Sequence, residues 1–570
     1  MSKRPKSLVM GAGERPPNVA VAVLTLQHAA LALVFLVYAV LIGKGAGFTS
    51  AQQQALVNGT LLACGLGAVL HARGMPWGSG LLAIPIAGPV FMPVAIQAGV
   101  AGGPAGVAAV VLLGGLIQWL TGGLMRRIRV LFPPEVCGVV VMMLGVSLLP
   151  GALRRAVGIV PGAPVGAIQL DAMWISLFTL AAMVAVSIWL RGGARFFAML
   201  LGCAAGLLAT LASRGLSDVA LAVGRAEWLA MPELAWPGLS LDAALIPVVL
   251  LLAVVSAIDG MGVLIGTDRL DDAQWFRPNL PQLAAGIRAV GTTNVASALL
   301  GGTFTGLSGS NLGLAFATGV TSRVVGLCVG VALMAACFLP KLTALVLALP
   351  EPVLGGILLY ASAYFLVSGA DLALSRMLSQ RRMLVIGLAL AAGIATQAAP
   401  EVVRGVDGLA GQIVRSPLAL AALVAVALNA LFRIGIATSA RIEWTVDRAG
   451  RARLREALSD LGEQWGLHRE TVRQADDALT EAMDLLASRH DPAVPLVVDV
   501  RSDEMHLYLR LEHAGAPVQF PERAPTHDEF LDDPDGTARM SAWILRHQAR
   551  RVSSAPLESP RAVLTLVLEN

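Results

Sequence analysis

Apolar runs long enough to cross a hydrocarbon core of about 30 Å recur from about residue 19 to residue 433 and then stop. Fourteen can be counted, centred near residues 30, 62, 90, 112, 145, 181, 204, 255, 293, 315, 333, 360, 390 and 425. Two of them are abnormal. The third, GLLAIPIAGPVFMPVAIQAG (80–99), is interrupted by Pro85, Gly88, Pro89 and Pro93, and the tenth, GLSGSNLGLAFATGVTSR (306–323), leaves about a dozen helix-compatible residues after Gly309. Each reads as a half-helix preceded by extended chain. They hold the same place in two halves of seven, and broken spans at matching places are the sequence mark of an inverted-repeat secondary transporter with its site at the midplane. Irregular backbone at membrane depth is tolerated only where protein buries it or where it lines a cavity. The polar break in the tenth run is therefore expected to build a substrate site.

After ALNALFRIGIA the pattern changes. The stretch RARLREALSDLGEQWGLHRETVRQADDALTEAMDLLASRH is amphipathic at helical spacing, and PLVVDVR and MHLYLRLEH alternate like strands. The expected fold class is an all-α polytopic membrane protein of 14 transmembrane spans in two inverted 7-span repeats, with spans 3 and 10 as half-helices, plus a soluble C-terminal α/β domain. The expected division is a cytosolic N-terminal tail at 1–18, a transmembrane domain at 19–435 and a cytosolic α/β domain at 441–570, about 130 residues and long enough to bury its own core.

Composition agrees with this pattern. Of 570 residues 56% are hydrophobic and 14% charged, with a mean hydropathy of +0.71, which excludes an ordinary soluble enzyme. A net charge of +4 gives no reason to expect nucleic acid. The start, MSKRPKSLVMGAGERPPN, is basic without an apolar core, so it reads as a cytosolic tail and no signal peptide. The basic clusters Arg126-Arg127-Arg129, Arg191 with Arg195, and Arg376 with Arg381 and Arg382 follow even-numbered spans and favour both termini in the cytoplasm, while Arg154 and Arg155 fall on the wrong side by this scheme. The five cysteines lie in apolar runs without CxxC spacing and read as buried small hydrophobes, with no disulfide or metal role.

Few side chains can carry chemistry. Asp259 is the single charge in span eight, ALIPVVLLLAVVSAIDGMGVLIG, and an intramembrane carboxylate costs at least about 2.5 kcal/mol unless it faces a cavity or a partner. It suits a group that touches substrate or that takes up and releases a proton; the alternative is a carboxylate satisfied by neighbouring helices. His28, after Gln27 in the first span, is either a proton-coupling group or a structural hydrogen-bonder. Asn311 opens the tenth half-helix, where a short amide can cap or tie the broken backbone, and free N–H groups at that end favour carbonyl or anionic oxygens. Arg288 is an interhelical partner or a snorkelling charge, and Arg323, just past the half-helix, an interfacial anchor. No nucleophile–base pair or metal-ligand cluster emerges, so no catalytic residue, metal or cofactor is expected.

These residues resemble a known family. SNLGLAFATGVTSR (310–323) is similar to the signature of the nucleobase–ascorbate transporters, the xanthine/uracil permeases, with Asn311, Gly313, Thr318, Ser322 and Arg323 in place. LQH in the first span, FPPEVCGVVVMMLGVSLLPGA at the fifth, SAIDGMG at the eighth and LPEPVLGG before the twelfth resemble family segments in the same order, over roughly residues 15 to 435. The resemblance implies a core domain of spans 1–4 and 8–11, a gate domain of spans 5–7 and 12–14, and an elevator-like movement of one against the other. It implies a nucleobase, such as xanthine, urate or uracil, bound by Asp259 and Ser310, by backbone near Phe91 and Gly309 in short paired strands, and by Asn311. A proton, or sodium, is then the coupling ion, and a homodimer in the inner membrane the assembly. Three positions depart from the pattern: Asp259 stands for a glutamate, Ser310 for Gln or Glu, and Ala285 for an acid before Gly286. The shorter groups put the ligand's identity in question rather than the fold.

The C-terminal region has a fainter resemblance to anti-sigma-factor-type histidine-kinase-like ATPases. ADDALTEAMDLLASRH (475–490) is similar to the nucleotide-box helix, with Glu481 in place but Asp484 for Asn; His513 replaces an adenine-reading aspartate, and DGTARMSAWILRHQ has one glycine where a lid has several. A retained fold with lost ATP binding and a regulatory or oligomerising role, with a cytosolic partner, is expected. Two other readings of the whole chain stay open: a sulfate-permease-like anion transporter, and a transporter-derived sensor signalling through its tail.

Overall fold

Local sequence sets where the first helices start and stop. In this computed structural model α1 (Asn18–Val34) runs almost directly into α2 (Val37–Gly45). Helix α3 (Ser50–Arg73) opens on a capping box in which Thr49 Oγ1 accepts from Gln52 N and Gln52 Oε1 accepts from Thr49 N. The structure describes residues 8–128, 133–159, 168–234, 236–271, 279–374, 378–406, 408–432, 438–444, 448–465, 467, 469–486, 496–503, 506–514, 516–525, 536–557 and 561–569. Of the basic clusters, Arg129 and Arg376 lie outside these. The chain divides into two compact units, Met1–Asp371 with Leu388–Val424, and Leu372–Gly387 with Ala425–Asn570.

After α3 come strand β1 (Pro85–Ala87), α4 (Met92–Ile128), α5 (Pro134–Ala156), α6 (Leu170–Trp189), α7 (Ala198–Ser213), α8 (Ser217–Arg225), α9 (Ile246–Asp271) and α10 (Leu280–Leu299). Then follow strand β2 (Thr305–Leu307), α11 (Gly309–Thr318), α12 (Arg323–Ala336), α13 (Pro340–Leu347), α14 (Glu351–Ala373), α15 (Gln380–Ala398), α16 (Gly408–Arg415) and α17 (Pro417–Phe432). Helix α4 is broken at Gly103, whose φ of 62° only glycine adopts cheaply, and Pro104 restarts it, so residues 92–102 form a half-helix. Helix α11 is the other half-helix, ten residues long and stopped by Gly319 in the left-handed conformation.

Among the described residues eight helices are long and apolar enough to span a membrane, or nine if α12 and α13, bent by 82° at their junction, form one span. The other apolar runs give shorter or more polar helices among the described residues. Helices α11, α12 and α17 have 10, 14 and 16 residues, and α10 spends part of its length on buried Thr293, Asn294 and Ser297 rather than on lipid-facing side chains.

One orientation signal changes meaning. Arg155, at the end of α5, is buried and ion-paired with Glu351 in the first turn of α14, and Lys44 Nζ lies 3.0 Å from the other Glu351 oxygen. Arg155 is thus a neutralised structural charge and does not count as a loop charge. The expected N-terminal tail is likewise partly built in. Val9 N donates to Gly319 O at 2.7 Å, Ala12 N to Asp271 Oδ1 at 2.9 Å, and Arg323 N to Ala12 O at 3.1 Å, so these residues strap the ends of α9, α11 and α12.

In the second unit a five-stranded antiparallel sheet has the order β3-β4-β5-β7-β6, with β3 Thr438–Trp444, β4 Leu496–Ser502, β5 His506–Ala514, β6 Arg551–Pro556 and β7 Arg561–Glu569. The amphipathic stretch becomes α18 (Arg448–Trp465) and α19 (Arg469–Leu486), and α20 (Gly536–Gln548) precedes β6. Every second residue of β4, β5 and β7, such as Val498, Leu509 and Leu566, is buried against Ala475, Leu479 and Met483, which recur at i, i+4 on α19.

Candidate functional site

The two half-helices begin side by side. Strands β1 and β2 pair antiparallel, Pro85 with Leu307, Ile86 with Gly306 and Ala87 with Thr305, and each runs on into its half-helix. This corrects the expected register: Phe91 and Gly309 do not lie in the paired strands. Phe91 ends a 3-10 turn at Pro89–Phe91, and its ring is fully buried, stacked on Phe304 at 3.6 Å between centroids. Gly309 is the first residue of α11, and a Cβ there would meet nothing within 4 Å. Among the expected substrate contacts Phe91 is therefore sealed from the surface, backbone included, while Gly309 adjoins open space.

Helix α11 is capped by Ser308, whose hydroxyl accepts from Asn311 N at 3.1 Å and from Asn311 Nδ2 at 2.9 Å. Asn311 is thus the residue that is held, not the cap, and its Oδ1 lies 2.7 Å from His28 Nδ1 on α1. With the amide nitrogen committed to Ser308, His28 carries its proton on Nδ1. His28 is fully buried, and its Nε2 has no partner among the described residues. Ser310 is half-buried beside Gly309.

Asp259 sits on the open side of α9. The residues before it, Leu251 to Ala257, are buried, whereas Asp259 is exposed and makes no hydrogen bond or ion pair among the described residues. Its charge reaches Cys137 on α5 and Tyr364 on α14. Asp259 is therefore near α5 and α14 as well as the half-helices, on the side of α9 that its own packing leaves open.

The remaining signature residues line α11 and the start of α12. A Cβ on Gly313 would come within 2.1 Å of the Phe196 ring, so glycine lets that ring lie against the half-helix. Thr318 returns its hydroxyl to Leu314 O at 2.9 Å. Ser322 caps α12 through Val324 N, and Arg323 projects outward from its first turn. Arg288 packs over the Trp119 ring of α4 at 5.6 Å, an interhelical contact. In the second unit Glu481 is half-buried and Asp484 exposed on α19, and His513 is buried on β5.

Sequence reasoning missed the polar groups behind the strands. Asn294 Nδ2 donates to Gln118 Oε1 at 2.7 Å and to Thr305 O at 3.0 Å, and its Oδ1 accepts from Thr305 N at 2.6 Å and Thr305 Oγ1 at 2.9 Å. Gln118 Nε2 donates to Ser256 Oγ at 3.2 Å. The available signal was two amides, Gln118 and Asn294, inside apolar runs, where each must find partners.

The model of the Permease family, Xan_ur_permease, matches residues 20–402. The chain is 28% identical over 413 residues to the uric acid permease PucK of Bacillus subtilis, covering 71% of this chain and 93% of the relative. It is 25% identical over 438 residues to the xanthine permease XanP of Escherichia coli, covering 74% and 93% respectively. The structure of the murine anion transporter Slc26a9 in the inward-facing state matches with a TM-score of 0.50 at 12% identity, over 76% of this chain and 72% of that one, a likeness of fold alone.

Proposed function

Since the chain belongs to the Permease family, we propose that it is a secondary active transporter of a nucleobase, a purine such as xanthine or urate, or uracil, and not an enzyme. The observation that carries this is Asp259, an intramembrane carboxylate with no hydrogen-bond partner among the described residues, turned to open space on a helix packed beside two half-helices that start at one point. A planar base offers N–H donors to such a carboxylate and carbonyl oxygens to the N–H groups at the start of α11. An inorganic anion with no N–H to donate would gain nothing from Asp259, whereas even an anionic purine such as urate keeps N–H donors for it, so the sulfate-permease-like reading is the weaker one.

The finer reading has fourteen spans in two inverted repeats, with spans 1–4 and 8–11 as a core that moves like an elevator against a gate. Transport is coupled to protons, with Asp259 and His28 as the titrating candidates. The protein sits in the inner membrane with both termini cytoplasmic and dimerises. Residues 441–570 form a cytosolic regulatory domain of degenerate histidine-kinase-like fold that binds no ATP.

The deciding experiment is uptake of labelled xanthine, urate, uracil, adenine and guanine by cells lacking their own permeases, comparing the native chain with Asp259→Asn, with and without a protonophore. Protonophore-sensitive uptake of one base that the substitution abolishes is expected. Accumulation of none above the empty-vector level would overturn the reading. Deleting residues 441–570 separates transporter from sensor, since a transporter retains uptake.

A further inference from the structure

Strand β2 is three residues long and has one edge paired with β1. Its other edge matters as much. Gly88 N donates to Phe304 O at 2.8 Å and Ser308 N to Ile84 O at 3.0 Å. In an antiparallel ladder hydrogen-bonded pairs alternate with non-bonded ones, so the Ile86–Gly306 pair points its backbone groups inward and Thr305 points its N–H and C=O outward, away from β1. The carboxamide of Asn294 meets that outward edge as a third strand would, accepting from the N–H and donating to the C=O of Thr305.

The second Asn294 N–H goes to Gln118, and the Gln118 amide goes to Ser256, which lies three residues, about one turn, before Asp259 on α9. Gln118, Asn294 and Thr305 are completely buried and Ser256 nearly so. One chain of hydrogen bonds therefore runs from the strand that leads into α11, through α10 and α4, to the helix that carries Asp259. Buried away from water, none of these groups has a solvent partner to exchange for, which makes the chain a fixed ruler rather than a loose tether.

We infer that Asn294 and Gln118 are positioning residues: they set the distance and rotation between Asp259 and the start of α11, and through it the orientation in which substrate is read. The inference rests on the proposed substrate site, since neither side chain faces that site. Its consequence is a defect in recognition rather than in assembly. Asn294→Ala strips the partners from Thr305 and is the variant at risk of misfolding, so the informative pair is Gln118→Leu and Gln118→Glu, which leave the Asn294–Thr305 contacts in place. A neutral Glu side chain presents an acceptor to Asn294 and a donor to Ser256, as Gln does.

Two readouts on the full chain in cells test this. In uptake assays Gln118→Leu should raise KM about tenfold with Vmax within about twofold and alter the ranking of competing bases, and Gln118→Glu should restore both. A parallel fall in Vmax and membrane abundance with KM and ranking unchanged would assign the network to folding alone and overturn the inference. The second readout needs no substrate. The rate at which a membrane-permeant maleimide labels a Ser310→Cys variant, after subtraction of labelling in the parent chain, should change several-fold when Gln118→Leu is added; an unchanged rate overturns the inference. If labelling changes while the native chain takes up no base, the nucleobase reading fails and the positioning role stands.

Discussion

The two half-helices start side by side but are fixed by different forces. Residues 92–102 begin on a proline-rich turn with no side-chain cap, and what holds them is the Phe91 ring stacked at 3.6 Å on Phe304. Gly114 on α4 makes room for both rings, since a Cβ there would lie 2.8 Å from each. The stack meets the α11 side only at Phe304, ahead of β2, and the first turn of α11 itself is held by Ser308, Asn311 and His28. Packing fixes a position without regard to where backbone donors point, whereas hydrogen bonds fix the donors themselves. On the proposed reading, the α4 side would act as a rigid floor and the α11 side would set directional recognition.

That contrast can be broken from either side. The largest effect on stability is expected from Phe304→Ala, about 3 to 5 kcal/mol for a fully buried ring, with the ranking of transported bases preserved. Melting of the detergent-solubilised full chain measures the first and competition uptake the second; an altered ranking would mean that the floor also recognises substrate. Phe91→Ala added to Phe304→Ala should cost less than the sum, because the two share one contact. Asn311→Ala is smaller in stability, about 1 to 3 kcal/mol for the partners it leaves, but should lose uptake outright. Normal uptake in that variant would end the distinction drawn above. Ser308→Ala removes one cap, about 1 kcal/mol, and should weaken uptake without abolishing it, as measured by KM against the native chain.

Much of this was legible in the sequence, for physical reasons that also explain the failures. The broken runs were visible because proline, glycine and polar residues have no ordinary place in a lipid-facing helix, and Asp259 because a lone carboxylate there demands a reason. The strand register was not: with Pro85, Pro89 and Pro93 all able to break the run, nothing local says that pairing uses Pro85–Ala87 and leaves Phe91 to the turn. Asn294 and Gln118 were missed because their meaning depends on contacts far apart in the chain, 176 positions in one case. Arg155 misled for the same reason: a charge count cannot see that Glu351, 196 positions away, neutralises it. In the C-terminal region the amphipathic helices and two strands were evident from period alone, while β3, β6 and β7 went unread because edge and terminal strands alternate less cleanly.

The smallest expected effect on stability tests whether the two half-helices travel together. If spans 1–4 and 8–11 move as one core, Lys44 moves with both, while Arg155 and Glu351 stay on the gate. The Arg155–Glu351 pair then persists throughout the cycle, and the Lys44–Glu351 contact of 3.0 Å exists in only part of it. Both ends of that contact are about one-fifth exposed, so it is worth up to about 1 kcal/mol, a factor of about five in the balance between conformations. Lys44→Gln should leave the melting temperature of the full chain nearly unchanged and shift Vmax by up to about fivefold at constant KM. Arg155→Gln should do the opposite, lowering the melting temperature by leaving Glu351 inadequately paired in every state. Should Lys44→Gln and Arg155→Gln alter stability and rate in the same proportion, Lys44 and Glu351 would belong to one rigid body, and the boundary of the moving core would have to be drawn beyond α2.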